Sequence, residues 1–104
     1  MIEPKKVALF GHLLKQSFPG DHVNDSEDTV LDGWFYRIAA GSSSNQRHRV
    51  RVSREFLDDS DEAEIRRKFA NWQVADVIRR AGNRLVVVDH GGPKVLGEET
   101  ESNQ

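Results

Sequence analysis

The sequence predicts a small α+β domain: a sheet of three to four strands, antiparallel at least in part, with two helices packed on one face. Two observations indicate strands. Apolar and polar residues alternate over residues 34–52, and β-branched residues run together at 86–88. Helices are indicated because apolar residues recur at helical spacing near the N-terminus and over residues 62–81. The predicted order is helix, strand, strand, helix, strand (α-β-β-α-β).

The first helix is predicted over residues 4–17. Four apolar residues lie on one stripe at helical spacing, namely Val7, Phe10, Leu14 and Phe18. Pro4 suits a first helical turn, because its missing N–H would have no helical partner there. Pro19 and Gly20 end the helix, since the residue before a proline avoids helical geometry. Residues 21–29 are polar and acidic, and we expect them to form a loop.

A β-hairpin is predicted within residues 34–56, because side chains alternate between the two faces of a strand. Its apolar face combines Trp34, Tyr36, Ile38 and Ala40 with His48, Val50 and Val52. Its other face combines Phe35, Arg37 and Ala39 with Arg47, Arg49, Arg51 and Ser53. Residues 41–46 form the connecting loop. Pairing Ala40 with His48 buries the whole apolar face, whereas a slip of one residue would bury arginines.

This register has an electrostatic cost, because it sets Arg37 opposite Arg51, and Ala39 opposite Arg49. Like charges directly across a strand pair repel each other. The sequence therefore predicts an offsetting negative charge. It could come from the acidic segments 25–32 and 58–64, which would make the arginines an internal contact. It could instead come from a bound anion, which would make them a binding surface.

The chain after the hairpin is predicted to turn into a helix. Ser53 follows a strand and is a favourable N-cap residue. One helical turn from this point would carry Phe56 and Leu57 into the core. Continuation of the strand is the alternative interpretation of the same residues.

A second long helix is predicted over residues 62–81. Asp61 and Glu64 have the spacing of a capping box at its start, and Gly82 is a favourable end. Its apolar residues occupy two nearly opposite faces, one with Ile65, Phe69 and Trp72, the other with Ala70, Val74, Val77, Ile78 and Ala81. Three alternatives follow: a break near Asn71, a helix that crosses between packing layers, or a second face against a partner subunit.

The C-terminal part begins with residues 84–89, whose apolar residues do not alternate and therefore predict a strand buried on both faces. Residues 90–93 form a turn, and residues 94–96 pair back. The pattern does not determine how this strand joins the sheet. We expect residues 1–96 to form one domain and the acidic residues 97–104 to be a disordered tail.

Composition excludes several classes of protein. The chain has no cysteine, so disulfides, thiolate metal sites and cysteine nucleophiles are excluded. No apolar run approaches the roughly 20 residues of a membrane span, and no signal peptide is indicated, so a cytoplasmic protein is expected. The net charge is −2, so nucleic-acid binding would require a local basic patch. The four histidines have no metal-ligand spacing, and neither a metal nor a cofactor is predicted.

Two surfaces are candidates for binding. The first is an arginine face suited to phosphate, because a guanidinium donates two parallel hydrogen bonds. It consists of Phe35, Arg37, Arg47, Arg49, Arg51 and Arg54. An aromatic on a basic sheet face can also stack a nucleobase. The second is a dimer or protein interface on the long helix, with core packing as its alternative. It consists of Trp72, Val74, Val77 and Ile78.

No motif of catalysis is found, and no residue is predicted to be catalytic. Asp89 and His90 follow a buried strand, but the repeated strand–helix units that make such positions active sites are missing. Nothing in the sequence identifies a family. The leading hypothesis is a non-catalytic, protein-binding or self-associating domain. The alternative is a nucleic-acid-binding module that uses the arginine face.

Overall fold

A computed structural model describes residues 3–28, 32–39 and 46–96. Of Asp28, Gln46 and Arg47 it describes the backbone only. The described helices are α1 (Pro4–Ser17), α2 (Arg54–Asp59), α3 (Glu62–Asn71) and α4 (Val74–Ala81). The described strands are β1 (His22–Asp28), β2 (Gly33–Ala39), β3 (Gln46–Ser53), β4 (Leu85–Asp89) and β5 (Gly92–Val95).

The strands form one mixed sheet in the order β1-β2-β3-β4-β5. Neighbours pair antiparallel except β3 and β4, which run parallel. The predicted α+β class is confirmed. Over the described residues, the predicted three to four strands, two helices and order α-β-β-α-β are corrected to five strands, four helices and the order α-β-β-β-α-α-α-β-β.

Strand β1 lies where a loop was expected. Only Val23 of this strand faces the core as a hydrophobic residue, and it pairs with Ile38. An edge strand is held chiefly by backbone hydrogen bonds to its single neighbour, and charged side chains on such an edge discourage pairing with other chains. Apolar residues therefore do not alternate with polar ones along β1. Without that alternation, the sequence suggested a loop.

Residues 54–81 form three helices, α2, α3 and α4, where the periodicity indicated a single turn followed by one long helix. Ser53 is the N-cap of α2, as predicted. Its Oγ accepts a hydrogen bond from the backbone N–H of Phe56 at 3.1 Å. Asp61 and Glu64 form the predicted capping box at the start of α3. The long helix breaks between α3 and α4 at Gln73, whose φ of 52° is left-handed. Of the three alternatives for its two apolar faces, the break is therefore the one observed.

The described side chains of the β2–β3 hairpin keep their predicted faces but not their predicted pairing, and Ala40 of the predicted apolar face lies outside the described residues. Tyr36 pairs with Val50 rather than with Val52, a shift of the register by two residues, and a bulge lies between Ile38 and Ala39. Since side chains alternate with a period of two, both registers bury the same residues, so burial cannot choose between them. The bulge marks where the observed pairing departs from a simple ladder.

Strand β4 lies beside β3, with Val50 opposite Val86 and Val52 opposite Val88. These valines are fully buried. The prediction that β4 is buried on both faces is wrong for Leu85 and Val87, which are only half-buried. They lie on the side of the sheet away from the helices.

The core lies between the helices and one face of the sheet. Tyr36 is fully buried there, and its hydroxyl donates to the backbone oxygen of Val7 at 2.7 Å, joining β2 to α1. Its ring lies 5.3 Å from that of Phe10. Burial raises the pKa of Tyr36, and the carboxylate of Asp25 raises it further.

Residues 41–45 of the predicted hairpin loop and the predicted acidic tail, residues 97–104, lie outside the described part of the chain. Of the helices in the described part, none is long and apolar enough to cross a bilayer.

The left-handed conformation of Gln73 gives a first prediction. Such a conformation costs a non-glycine residue about 1–2 kcal/mol, whereas glycine adopts it readily but loses more chain entropy on folding. We expect Gln73→Gly to raise the free energy of unfolding by about 0.5–1 kcal/mol. The control is Gln16→Gly in α1, where glycine is unfavourable in the helix and the substitution should lower the free energy of unfolding by about 0.5 kcal/mol. Urea denaturation measures both, and an equal loss at the two positions would contradict the prediction.

Tyr36 gives a second prediction, which is observable because it is the only tyrosine in the chain. Its folded pKa lies above the unfolded value of about 10, so its contribution to stability is complete below that pH and declines above it. In an alkaline titration, phenolate absorbance should appear together with loss of the far-UV circular dichroism signal.

The control for this titration is Tyr36→Phe, which removes the ionisable group and should lower stability at neutral pH by about 1 kcal/mol through the lost hydrogen bond. Its stability should fall less steeply above pH 10 than that of the parent protein. Phenolate that forms at its ordinary pH while the circular dichroism stays native would show that Tyr36 is accessible to solvent.

Candidate nucleic-acid interface

The face of the sheet that points away from the helices is called the open face below. Strand alternation and the observed registers assign its described side chains. They are His22, Asn24 and Ser26 on β1, Phe35, Arg37 and Ala39 on β2, Arg49, Arg51 and Ser53 on β3, and Leu85, Val87 and Asp89 on β4, with Lys94 on β5 and Leu96 just beyond it. The hydrophobic core, to which all four helices contribute, lies on the opposite face.

An aromatic ring on the open face lies close to two arginines. Phe35 pairs directly with Arg51 across β2 and β3. The guanidinium carbon of Arg37 lies 5.1 Å from the centre of the Phe35 ring, and that of Arg51 lies 6.0 Å from it. Both distances are within the range of a cation–π interaction. The Phe35 ring therefore attracts both positive charges.

Arg49 is fixed in orientation by the loop between α4 and β4. Its Nε and one terminal nitrogen donate to the backbone oxygen of Asn83 at 3.1 and 2.9 Å. A guanidinium has five N–H donors, so these two bonds leave donors on the same group for a further acceptor. Arg49 lies directly opposite Arg37, which is the one arginine–arginine pair of the observed register.

Several described carboxylates of the two acidic segments lie or bind away from the arginines of the open face. In segment 25–32, Asp25 faces the core side of the sheet, opposite Tyr36. In segment 58–64, Asp59 contacts His90 at 3.1 Å and Glu62 contacts Lys5 at 3.8 Å. Within the described residues, no carboxylate forms an ion pair with Arg37 or Arg49. Of the two sources of negative charge that the sequence left open, the internal one does not reach these two arginines through any carboxylate that the structure describes.

Two members of the predicted arginine face differ from the others. Arg54 begins α2, and its guanidinium donates twice to the carboxylate of Asp32, at 3.0 and 2.8 Å. This hydrogen-bonded partner raises the pKa of Arg54. Arg54 is therefore committed to an ion pair at the end of the hairpin. The side chain of Arg47 lies outside the described part of the structure.

The open face also carries apolar residues that the sequence analysis did not assign to a site. Leu85 and Val87 are half-buried, and Leu96 is 40% exposed. Leu85 and Val87 lie beside the arginines because β4 pairs in parallel with β3. The sequence pattern did not determine which strand β4 would pair with. The sequence feature that could have indicated these residues is the apolar run 85–88, in which no polar residue alternates. One half of that run faces the core, and the other half faces outward beside Arg49 and Arg51.

Charge is unevenly distributed over the molecule. The chain as a whole carries −2. The described side chains of the open face carry Arg37, Arg49, Arg51 and Lys94 against one carboxylate, Asp89, which pairs with Lys94 at 3.7 Å. The open face is therefore a local basic patch on an acidic protein.

The predicted interface on the long helix is divided by the break. Val74 and Ile78 are fully buried in the protein's own core. Trp72 is partly buried, with its ring 5.8 Å from that of Phe56. Val77 is half-buried and lines a groove between α4 and β5. Only Val77 and part of Trp72 therefore retain surface that a partner could contact.

The histidines are dispersed among separate local environments. His48 lies on the apolar face, as predicted, and its Nδ1 donates to the backbone oxygen of Gly82 at 2.9 Å. Its ring is 5.1 Å from that of Phe18. Over the described ranges, no three histidine or carboxylate side chains are grouped so that they could hold a metal ion.

Comparisons with protein-family models, with curated proteins and with solved structures gave no match to this chain.

Proposed function

We propose that the protein binds single-stranded nucleic acid on the open face. The observation that carries the proposal is the Phe35 ring close to both Arg37 and Arg51 on a sheet face that also presents half-buried apolar residues. The proposal assigns binding alone and no chemical step.

Two kinds of contact are combined on this surface. Guanidinium groups donate paired hydrogen bonds to phosphate oxygens, a role that falls to Arg37, Arg49 and Arg51. Nucleobases stack on aromatic rings irrespective of their identity, a role that falls to Phe35. Val87 lies two strands from Phe35, about 10 Å at ordinary strand spacing, and offers a second apolar contact for a base.

A single strand fits this surface better than a duplex. The bases of a duplex are stacked on one another, so their faces cannot meet Phe35. A single strand exposes both its phosphates and its base faces to a flat sheet. Sequence preference should be weak, because stacking and phosphate contacts tolerate every base.

Self-association through the open face is disfavoured by its charge. A twofold axis brings the same patch of both subunits together. It would set Arg37, Arg49 and Arg51 of one copy against the same residues of the other, and like charges in one interface oppose association. An anionic partner removes this conflict.

The third prediction concerns binding itself, measured by fluorescence anisotropy with a short labelled oligouridylate. Each phosphate contact contributes about −0.7 to the logarithmic salt slope for single strands, so three arginines give a slope of about −2. Tripling the salt concentration should lower affinity about tenfold. A duplex of the same length should bind more weakly, because Phe35 cannot stack on it.

Variants separate stacking from charge. Phe35→Ala should lower affinity about tenfold at constant salt, since one stacked base is worth about 1–3 kcal/mol. The double variant Arg37→Gln with Arg51→Gln should also lower affinity and should reduce the magnitude of the salt slope by about 1.4. Its matched control is Arg66→Gln with Arg67→Gln on α3, which changes the net charge equally and should leave affinity within about twofold.

Circular dichroism of each variant establishes that it is folded. No binding of the oligonucleotide at low salt, or equal losses in the open-face variant and its α3 control, would disprove the proposal. So would retention of full affinity by Phe35→Ala together with an unchanged salt slope in the arginine variant.

A further inference from the structure

A groove with a volume of about 270 Å³ lies between α4 and β5, on the helix side of the sheet. Its lining consists of Val77, Arg80, Ala81, Arg84 and Val95. The volume is below the roughly 300–1,000 Å³ of small-molecule pockets, so the groove suits one or two side chains better than a cofactor. Val77 and Val95 supply half-buried apolar walls, and Arg80 is exposed at the rim.

The groove lies along an edge of the sheet, because β5 is the last strand in the sheet order. The amide of Leu96 donates to the oxygen of Leu85 at 2.7 Å, and Lys94 pairs with Val87. Backbone groups of successive strand residues point in opposite directions. Val95 therefore directs both its N–H and its C=O away from β4, while its side chain lines the groove.

The two edges of the sheet have opposite charge. The β1 edge carries Asp25 and Glu27, which repel an acidic strand. The β5 edge carries Lys94, which pairs with Asp89, and lies beside Arg80 and Arg84 of the groove, which give it its positive charge. Arg84 is held in place by its Nε, which donates to the backbone oxygen of Ala81 at 3.2 Å.

We propose that the β5 edge and this groove bind an extended, acidic segment of a partner protein, which adds to the sheet as a further strand. The backbone of the segment pairs with Val95, as in other cases where a peptide extends a sheet. An apolar side chain of the segment enters the groove between Val77 and Val95. A neighbouring carboxylate binds Arg80. This surface is distinct from the open face, and the inference does not depend on nucleic-acid binding.

A second copy of this chain is a poorer occupant. Pairing β5 with β5 across a twofold axis would bring Arg80 and Arg84 of both copies to one interface. Pro93 has no amide to donate, so the outward edge of two such strands offers few mutual hydrogen bonds. An acidic segment of a partner protein has carboxylates that attract the arginines, and its own backbone amides can donate hydrogen bonds to β5.

The fourth prediction uses a synthetic fluorescein-labelled peptide of alternating valine and glutamate as the probe. It should bind the full-length protein, and the same peptide with lysine in place of glutamate should bind at least about tenfold more weakly. N-methylation of alternate backbone amides on the edge that would face β5 should abolish binding, because it removes the donors that pair with Val95.

Two variants and a matched control place the peptide on the groove. Arg80→Glu should lower affinity about tenfold or more, as expected when a charge-assisted hydrogen bond is replaced by repulsion. Arg66→Glu on α3 makes the same charge change outside the groove and should alter affinity by less than about threefold. Val77→Glu should lower affinity by blocking the apolar wall, with circular dichroism verifying its fold.

Amide hydrogen exchange followed by NMR locates the strand. Binding should protect the amide of Val95, which otherwise points outward. Equal affinity of Arg80→Glu and Arg66→Glu, equal binding of the lysine peptide, or an unprotected Val95 would overturn the inference. Chemical shift changes centred on Phe35 and Arg51 would overturn it too, since they would put the acidic peptide on the open face.

The two proposals can be tested independently of each other. Arg80→Glu should leave oligouridylate affinity within about threefold of the parent protein, and Phe35→Ala should leave peptide affinity unchanged. A protein that binds the oligonucleotide but not the peptide would retain the proposed function and lose this inference. The reverse result would retain the inference alone.

Discussion

Strict alternation along β3 is the constraint on which the rest of the structure depends. This strand is central in the sheet, pairing antiparallel with β2 and parallel with β4. His48, Val50 and Val52 point into the core, so Arg49 and Arg51 must point to the opposite side. A helix layer cannot easily cover that side, because covering it would remove two charged guanidinium groups from water, which is costly. The helices accordingly contribute to a core on the other face.

The placement of the acidic residues follows from the same constraint. Asp61 and Glu64 cap α3, and Asp32 holds Arg54 at the start of α2. Carboxylates used at helix ends and chain reversals are remote from the middle of a sheet face. A chain with a net negative charge therefore presents a positive surface, and the cation–π contacts of Phe35 with two arginines moderate the repulsion within it.

Most single elements could be predicted from local pattern, and the exceptions have physical causes. The capping box, the Ser53 cap and the faces of the hairpin are local, since each depends on residues within a few positions or on a period of two. Strand β1 was not predictable, because its polar edge has almost no period. The register of β2 with β3 was missed by two residues, because both registers bury the same side chains.

The sequence by itself determined which side chains of the hairpin are buried and which form the arginine face, because alternation is a property of a single strand. Only the tertiary structure decided what lies beside that face. The parallel pairing of β3 with β4 adds Leu85 and Val87 to the arginines, and the pairing of β4 with β5 leaves Val95 at an edge above a groove. Such pairings join segments distant in the chain, and their choice depends on how α2, α3 and α4 pack between the strands.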